Sequence, residues 1–388
     1  QQLNGVALTV ETCARIAQQH HREIVVVTSQ AAAGTEDSRV RNFAPVGRFE
    51  IPDFAGQTLS FPPFLEMIGY CERQQFAEAI VSTPGPVGLV GLAAGKLLEM
   101  KLTGIYHTDY PLYVRHLTGS SSLEEMSWRY LRWFYGQMDT VFVPSDYYKG
   151  KLEEKGLDPA KVRLLPRGLD RDLFHPGRRD PEVWHRYGMQ PGFKFLCVGR
   201  IAEEKNLDVL LRAFMGVLER TPEARLVLVG DGPYLEQLQS RYRRPEILFT
   251  GYLQGEELAA AYASADVLVA PSSTDTFGNA VIEAQACGLP VIVDRCGGVA
   301  EQVLEAGSGI VLDISEPGRL QAAMSRLMDD DRVRRLMVVA AAEMAHNDTW
   351  EALLNQLWQE PVEAPLDSRP AVGPVRPRTE AAADPIHV

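Results

Sequence analysis

The chain has 388 residues, 45% hydrophobic and 23% charged, a globular composition that exceeds what one ordinary core uses and points to two domains. Its formal net charge of −12 excludes the basic balance of a nucleic-acid binder, so no nucleic-acid partner is expected. No run of about 18 uninterrupted apolar residues occurs, so no segment is expected to span a bilayer.

The five cysteines (Cys13, Cys71, Cys197, Cys287, Cys296) are scattered and form no CxxC, which argues against a zinc site and against a disulfide framework. A cytoplasmic setting fits that usage. The chain begins at Gln1, no targeting segment is expected there, and 361–388 is rich in Pro, Ala, Glu and Arg and reads as a disordered tail. Both ends read as those of a piece cut from a longer polypeptide.

In chain order, the first strand candidates are IVVVT (24–28), EAIVS (78–82), GIYH (104–107), TVFVP (140–144) and VRLLP (162–166). These are β-branched runs without polar alternation, as in strands covered on both faces. Helical stretches separate them at 88–100, 123–138 and 147–155, and this succession implies a parallel, doubly wound sheet. The segment LDRDLFHPGRRD (169–180) has no periodicity and reads as an interdomain linker. A second series follows: KFLCVG (194–199), RLVLVG (225–230), ILFTG (247–251), VLVAP (267–271), PVIVD (290–294) and GIVL (309–312). Two such units in tandem place a cleft between them, bordered by strand C-terminal ends, where a nucleotide would sit.

Two loops carry chemistry. In VGRIAEEKN (198–206), Arg200 and Lys205 flank a passage from strand end to helix start, which suits a diphosphate; the alternative is a solvated pair balanced by Glu203 and Glu204. In PSSTDTFGNAVIEAQACGLPVIV (271–293), Gly278, Asn279 and Ala280 would open a helix with free backbone N–H groups. Asp275 lies in that loop and Glu283 in the helix, where a carboxylate can accept from sugar or ribose hydroxyls. The alternative is that Asp275 caps the helix and Glu283 is solvated.

With VGRIAEEKNLDVLL, LVLVGDGPYLEQL, ILFTGYL, YASADVLVAPSSTDTFGNAVIEAQACGLPVI and GGVAEQV, residues 195–312 resemble the retaining glycosyltransferases of family 4. The resemblance implies a GT-B fold: α/β, with two Rossmann-like doubly wound parallel-sheet domains facing a cleft. Within it, Asp275 and Glu283 occupy the family's Glu-x7-Glu positions, the first as a shorter acid. Asp275 is thereby expected on the donor sugar, Glu283 on the ribose, and Arg200 and Lys205 on the diphosphate. The first half resembles the family less tightly. NGVALTV (4–10) matches its Gly loop, with Gly5 letting the backbone approach the donor phosphate. YHTDYP (106–111) matches the loop bearing a sugar-facing histidine, His107, whose alternative is a hydrogen-bonded strand-end residue. VPSDYY…LPRGLDRDLFHP (143–176) is typical of the passage between domains. The strand that precedes the Gly loop in the family has no counterpart here, because the chain starts in the loop.

The boundaries implied are an acceptor-side domain at 1–172 and a nucleotide-sugar donor-binding domain at 173–345. A helix at 346–360 would cross back to the first domain, ahead of the tail. The expected reaction moves a hexose from a GDP- or UDP-sugar to a lipid or glycan acceptor with retention, without a cofactor and without a metal. Rivals are a nucleotide-sugar epimerase of the same fold, for which no Glu-Arg-Pro-Glu-like stretch is present, and a non-catalytic sugar-nucleotide-binding module. The run Asp329–Asp330–Asp331 reads as an exposed turn, and GDGP (230–233) as a strand-to-helix turn. The helix at 124–138 mixes Trp128, Trp133 and Phe134 with Arg129 and Arg132; it reads as half-buried, with peripheral contact to the inner membrane face as the alternative.

Overall fold

The structure, a computed structural model, describes residues 5–30, 39–50, 58–344 and 349–358. It opens with helix α1 (Gly5–Gln19), a parallel strand pair β1 (Val26–Thr28) and β2 (Val40–Asn42), and an antiparallel pair β3 (Gly47–Glu50) and β4 (Thr58–Phe61). Helix α2 (Phe64–Gln74) then leads to β5 (Glu78–Val81), α3 (Pro86–Leu97), β6 (Lys101–Ile105), α4 (Tyr110–Thr118) and α5 (Ser121–Gly136). After β7 (Thr140–Val143), α6 (Asp146–Glu154) and β8 (Val162–Leu164), the four strands β5-β6-β7-β8 form one parallel sheet in that order. Along β7 the residues alternate between faces. Val141 and Val143 join a core with Trp128, Leu131 and Tyr135 of α5, while Phe142 joins a core with Ile105 and Leu165.

Among the described residues, β1-β2 pair apart from the β5-β6-β7-β8 sheet. Two expectations for this half are corrected. NGVALTV is not a loop where it is described: Gly5 opens α1, and Asn4 lies outside the described residues. The GIYH strand ends at Ile105, so Tyr106 and His107 stand beyond it. Strands β2, β3 and β4 were not expected, since VRN, GRFE and TLSF interrupt their apolar residues with polar ones.

The second half runs β9 (Phe193–Val198), α7 (Leu207–Arg220), β10 (Ala224–Val229), α8 (Leu235–Arg241), β11 (Ile247–Gly251), α9 (Gly255–Ala263), β12 (Val267–Ala270), α10 (Asn279–Ala286), β13 (Val291–Asp294), α11 (Gly298–Ala306) and β14 (Gly309–Leu312). These strands form one parallel sheet in the order β11-β10-β9-β12-β13-β14. Both faces are covered: Phe195 and Cys197 of β9 enter one core with Leu210 and Phe214 of α7, and Leu196 enters the other with Tyr262, Ile282 and Val303. That double burial is why these strands read as unbroken apolar runs. The stretch 169–180 is no free linker, because Leu169 and Phe174 are buried in the second core.

Helices α12 (Arg319–Asp329) and α13 (Asp331–Met344) meet at the triple-Asp turn, where Asp330 accepts from the Val333 backbone N–H at 3.0 Å. The last helix, α14 (Trp350–Trp358), buries Leu353, Leu354 and Leu357 beside Ile16 of α1 and Ile105 and Phe142 of the first sheet. Residues 359–388, including the expected tail, lie outside the described residues. No described helix is long and apolar enough to cross a membrane. On α5, Trp128 and Phe134 are buried and Trp133 is half exposed, which is the half-buried arrangement.

Candidate active site

In the six-stranded sheet the chain proceeds outward from β9 through β10 to β11, then returns to β12 on the other side of β9. The loops after β9 and β12 therefore diverge and leave a crevice at their C-terminal ends, the place where open α/β sheets bind ligands. Asn206, held in the left-handed region at φ 56°, ties the two loops together. Its amide donates to the Pro271 carbonyl at 3.1 Å and to the Ser273 hydroxyl at 3.4 Å.

Both expected cations are here, and both are paired. Arg200 donates to Glu204, which is the balanced-pair alternative read from the sequence. Lys205 donates to Asp275 across the crevice, so Asp275 does not cap α10. Burial works to lower the Lys205 ammonium; the facing Asp275 carboxylate, with Tyr113 of α4, outweighs it and sets the pKa above the usual lysine value.

Helix α10 begins without a side-chain cap, its N-cap Gly278 standing at φ 64°. A side chain there is excluded twice, by that backbone and by Val299, whose Cγ2 would lie 2.5 Å from a Cβ. The N–H groups of Asn279 and Ala280 are first-turn donors with no intrahelical acceptor, oriented as an anion site. One turn on, Glu283 accepts from the Tyr262 hydroxyl at 2.8 Å. Burial pushes the Glu283 carboxyl up to about 7, against the smaller opposing pull of that hydrogen bond. Glu283 is thus not the solvated helix residue of the alternative reading.

His107 reaches the same loop from the first half. Its carbonyl accepts from the Thr276 hydroxyl, and its ring lies 5.3 Å from that of Phe277. The imidazole is buried, its Nε2 has no hydrogen-bond partner, and burial lowers its pKa to about 4, so it is neutral at pH 7. Two further contacts join the halves: the Tyr147 backbone N–H at the start of α6 donates to Glu301 of α11 at 3.0 Å, and Ser145 packs on Gly298. Helix α1, which Gly5 opens, packs against α14. Among the described residues no group of three or more His, Cys, Asp or Glu is arranged to hold a metal ion. The thiols of Cys197 and Cys287 are pushed up to about 12 by burial and are poor nucleophiles.

Residues 3–173 match the pattern described as glycosyltransferase family 4, and residues 192–330 that of the group 1 glycosyl transferases. A sulfoquinovosyl transferase of Arabidopsis thaliana is 34% identical over 350 residues, 89% of this chain and 68% of that protein. The chain belongs to glycosyltransferase family 4. A GDP-mannose-dependent α-mannosyltransferase of Corynebacterium glutamicum is also 34% identical, over 74% of this chain and 68% of its own length. Among solved structures, the sucrose-phosphate synthase of Thermosynechococcus elongatus superposes with a TM-score of 0.73 at 20% identity, covering 92% of each chain. The fold of this family-4 glycosyltransferase is accordingly GT-B.

Five contributors to the site escaped the sequence reading: Tyr262, Thr276, Phe277, Glu301 and the Ser145–Gly298 contact. Tyr262 and Glu301 stand inside YASAD and GGVAEQV, stretches that carry the family resemblance, yet nothing local marks them as partners of Glu283 and α6.

Proposed function

We propose that this glycosyltransferase moves a hexose from a nucleoside-diphosphate sugar to a lipid or glycan acceptor with retention of anomeric configuration. The observation that carries the reading is the convergence, at one sheet switch point, of Arg200 and Lys205, the uncapped start of α10 and the paired acids Asp275 and Glu283. An anionic donor exchanges with the carboxylates that neutralise the two cations. The N–H groups of Asn279 and Ala280 receive its phosphate oxygens, and Glu283 accepts from the ribose. As the glycosidic bond breaks, charge grows on the leaving diphosphate, and these fixed donors stabilise it without a metal. Asp275, freed from Lys205, accepts from sugar hydroxyls, and neutral His107 offers its unpartnered nitrogen on the opposite wall.

Retention is expected from a front-face route in which the leaving phosphate takes the acceptor proton, with Asp275 and Glu283 engaged by the donor's hydroxyls and the buried thiols of Cys197 and Cys287 held protonated. The similarity to a GDP-mannose-dependent mannosyltransferase and a sulfoquinovosyl transferase supports a nucleotide-hexose donor and a lipid or glycan acceptor. The first half (1–172) is the acceptor side and 173–345 the donor side in this reading. The test incubates the chain with GDP-mannose or UDP-glucose and a panel of lipid and glycan acceptors, and determines product configuration by NMR. An α-linked product is expected. A β-linked product, or an isomerised donor formed without acceptor, overturns it.

A further inference from the structure

We infer that Tyr262 is a positioning residue, its hydroxyl holding the Glu283 carboxylate in the orientation that receives the donor ribose; this rests on the role proposed for Glu283. Tyr262 lies at the end of α9, fully buried, with its ring edge-on to Phe174 at 5.8 Å and 79°. A phenol inside an apolar core is costly unless its hydroxyl is satisfied, and its hydrogen bond goes to Glu283 Oε2 at 2.8 Å. Among the described residues no hydrogen bond occupies the other oxygen, Oε1, and that oxygen is not a buried orphan. One carboxylate oxygen is therefore anchored in the protein and the other remains for a ligand. The carboxylate sits one turn into α10, on the same helix whose free N–H groups face the crevice.

Geometry and ionisation work together here. Burial raises the Glu283 carboxyl to about 7 and the Tyr262 hydrogen bond opposes it, so losing the hydroxyl leaves a smaller share of Glu283 ionised at neutral pH. The other titratable groups acting on this pair are Cys287 on α10 and Cys197 on β9, both raised to about 12 and neutral throughout the working range. Tyr262→Phe keeps the ring against Phe174 and deletes only the hydroxyl, so it separates positioning from packing.

The experiment measures GDP and UDP binding by calorimetry from pH 5.5 to 8.5 for wild type, Tyr262→Phe, Glu283→Ala and the double variant, with melting curves to verify folding. The nucleotide's own phosphate titration is common to all four and cancels in the ratio of affinities to wild type. At pH 7, Tyr262→Phe is expected to bind about tenfold more weakly, the scale of a hydrogen bond to a charged group. Its midpoint for tightening with pH moves upward, and the double variant binds no worse than Glu283→Ala. A Tyr262→Phe protein with wild-type affinity and midpoint, beside a weakened Glu283→Ala, overturns the positioning role and leaves the Glu283 assignment standing. A Glu283→Ala protein that binds like wild type, or a wild type that binds neither nucleotide, overturns both.

Discussion

Gly298 packs against Ser145 where the two halves of the molecule meet, and its replacement by alanine gives a sharp test of whether catalysis needs that contact. A Cβ on Gly298 would meet the Ser145 hydroxyl and would lie 2.8 Å from Ser145 Cβ, well inside the 3.5–4.0 Å at which carbon atoms attract. The hydroxyl could rotate away, but it caps α6 by accepting from the Tyr148 N–H, and losing that cap costs about 1 kcal/mol. The Cβ clash survives any rotation, so the backbones must separate. Overpacking of this kind costs about 1–3 kcal/mol, charged only to the closed arrangement, which lowers the closed-to-open ratio about 5- to 150-fold. Gly298 is the first residue of α11, where alanine is at least as good a helix former, so the second half stays folded. Initial rates at saturating donor should fall by at most that factor, GDP or UDP affinity should hold, and the radius of gyration from solution scattering should rise. Ser145→Gly in the same chain removes the clashing atoms and should recover much of the rate. Wild-type turnover and dimensions in Gly298→Ala, or no recovery in the double variant, would refute the reasoning.

Four further expectations accompany it. Glu283 titrates near 7 folded against 4.5 unfolded, so its contribution is fully present below pH 4.5 and is lost as pH rises through about 7; Glu283→Gln should therefore gain on the order of 3 kcal/mol relative to wild type between pH 4.5 and 8, read from denaturant midpoints, and an equal difference at both pH values refutes it. His107 has the opposite sign: its pKa falls from 6.5 to about 4, so wild type loses on the order of 3 kcal/mol as pH drops through that window, and His107→Gln should be spared that loss. Lys205→Ala and Arg200→Ala should each lower turnover by about 2–4 kcal/mol of transition-state stabilisation, and near-normal turnover in both places the diphosphate elsewhere. EDTA should leave transfer unchanged; complete loss restored by manganese or magnesium contradicts the metal-free route.

How much of this was legible in the sequence depended on whether the determining interaction was local. Strands such as KFLCVG and VLVAP declared themselves because both of their faces are buried, leaving no polar alternation to confuse them. Strands β3 and β4 did not, since Phe49 and Phe61 remain half exposed and Arg48 and Ser60 stand between apolar neighbours. The loops bearing Arg200, Lys205, Asp275 and Gly278 were readable as polar breaks at the ends of apolar runs. Their pairings were not. Lys205 and Asp275 are 70 positions apart, Tyr262 and Glu283 are 21, Tyr147 and Glu301 are 154, and Thr276 and His107 are 169. Separations of that kind are set by topology, so the sequence names the participants and only the fold tells which of them meet.

Those pairings also bear on how the site can select an anion. An exposed, unpaired arginine or lysine attracts any negative ion, and its attraction is screened by salt. Here Arg200 and Lys205 are already matched with Glu204 and Asp275, so an incoming anion must replace an acid that is covalently tethered and close by. A single phosphate meets the start of α10 but has little with which to displace two carboxylates. In the function proposed above, a nucleoside diphosphate sugar supplies two phosphates, a ribose for Glu283 and sugar hydroxyls that give the displaced Asp275 a new partner. The discrimination then lies in the number of groups satisfied at once, because each displaced charge left unpaired at the crevice carries its own desolvation cost. On this argument, removing Glu204 should strengthen binding of inorganic pyrophosphate more than binding of a complete donor, a difference that competition calorimetry on Glu204→Gln measures. Equal strengthening of both would mean that Glu204 competes with either anion alike and contributes no discrimination.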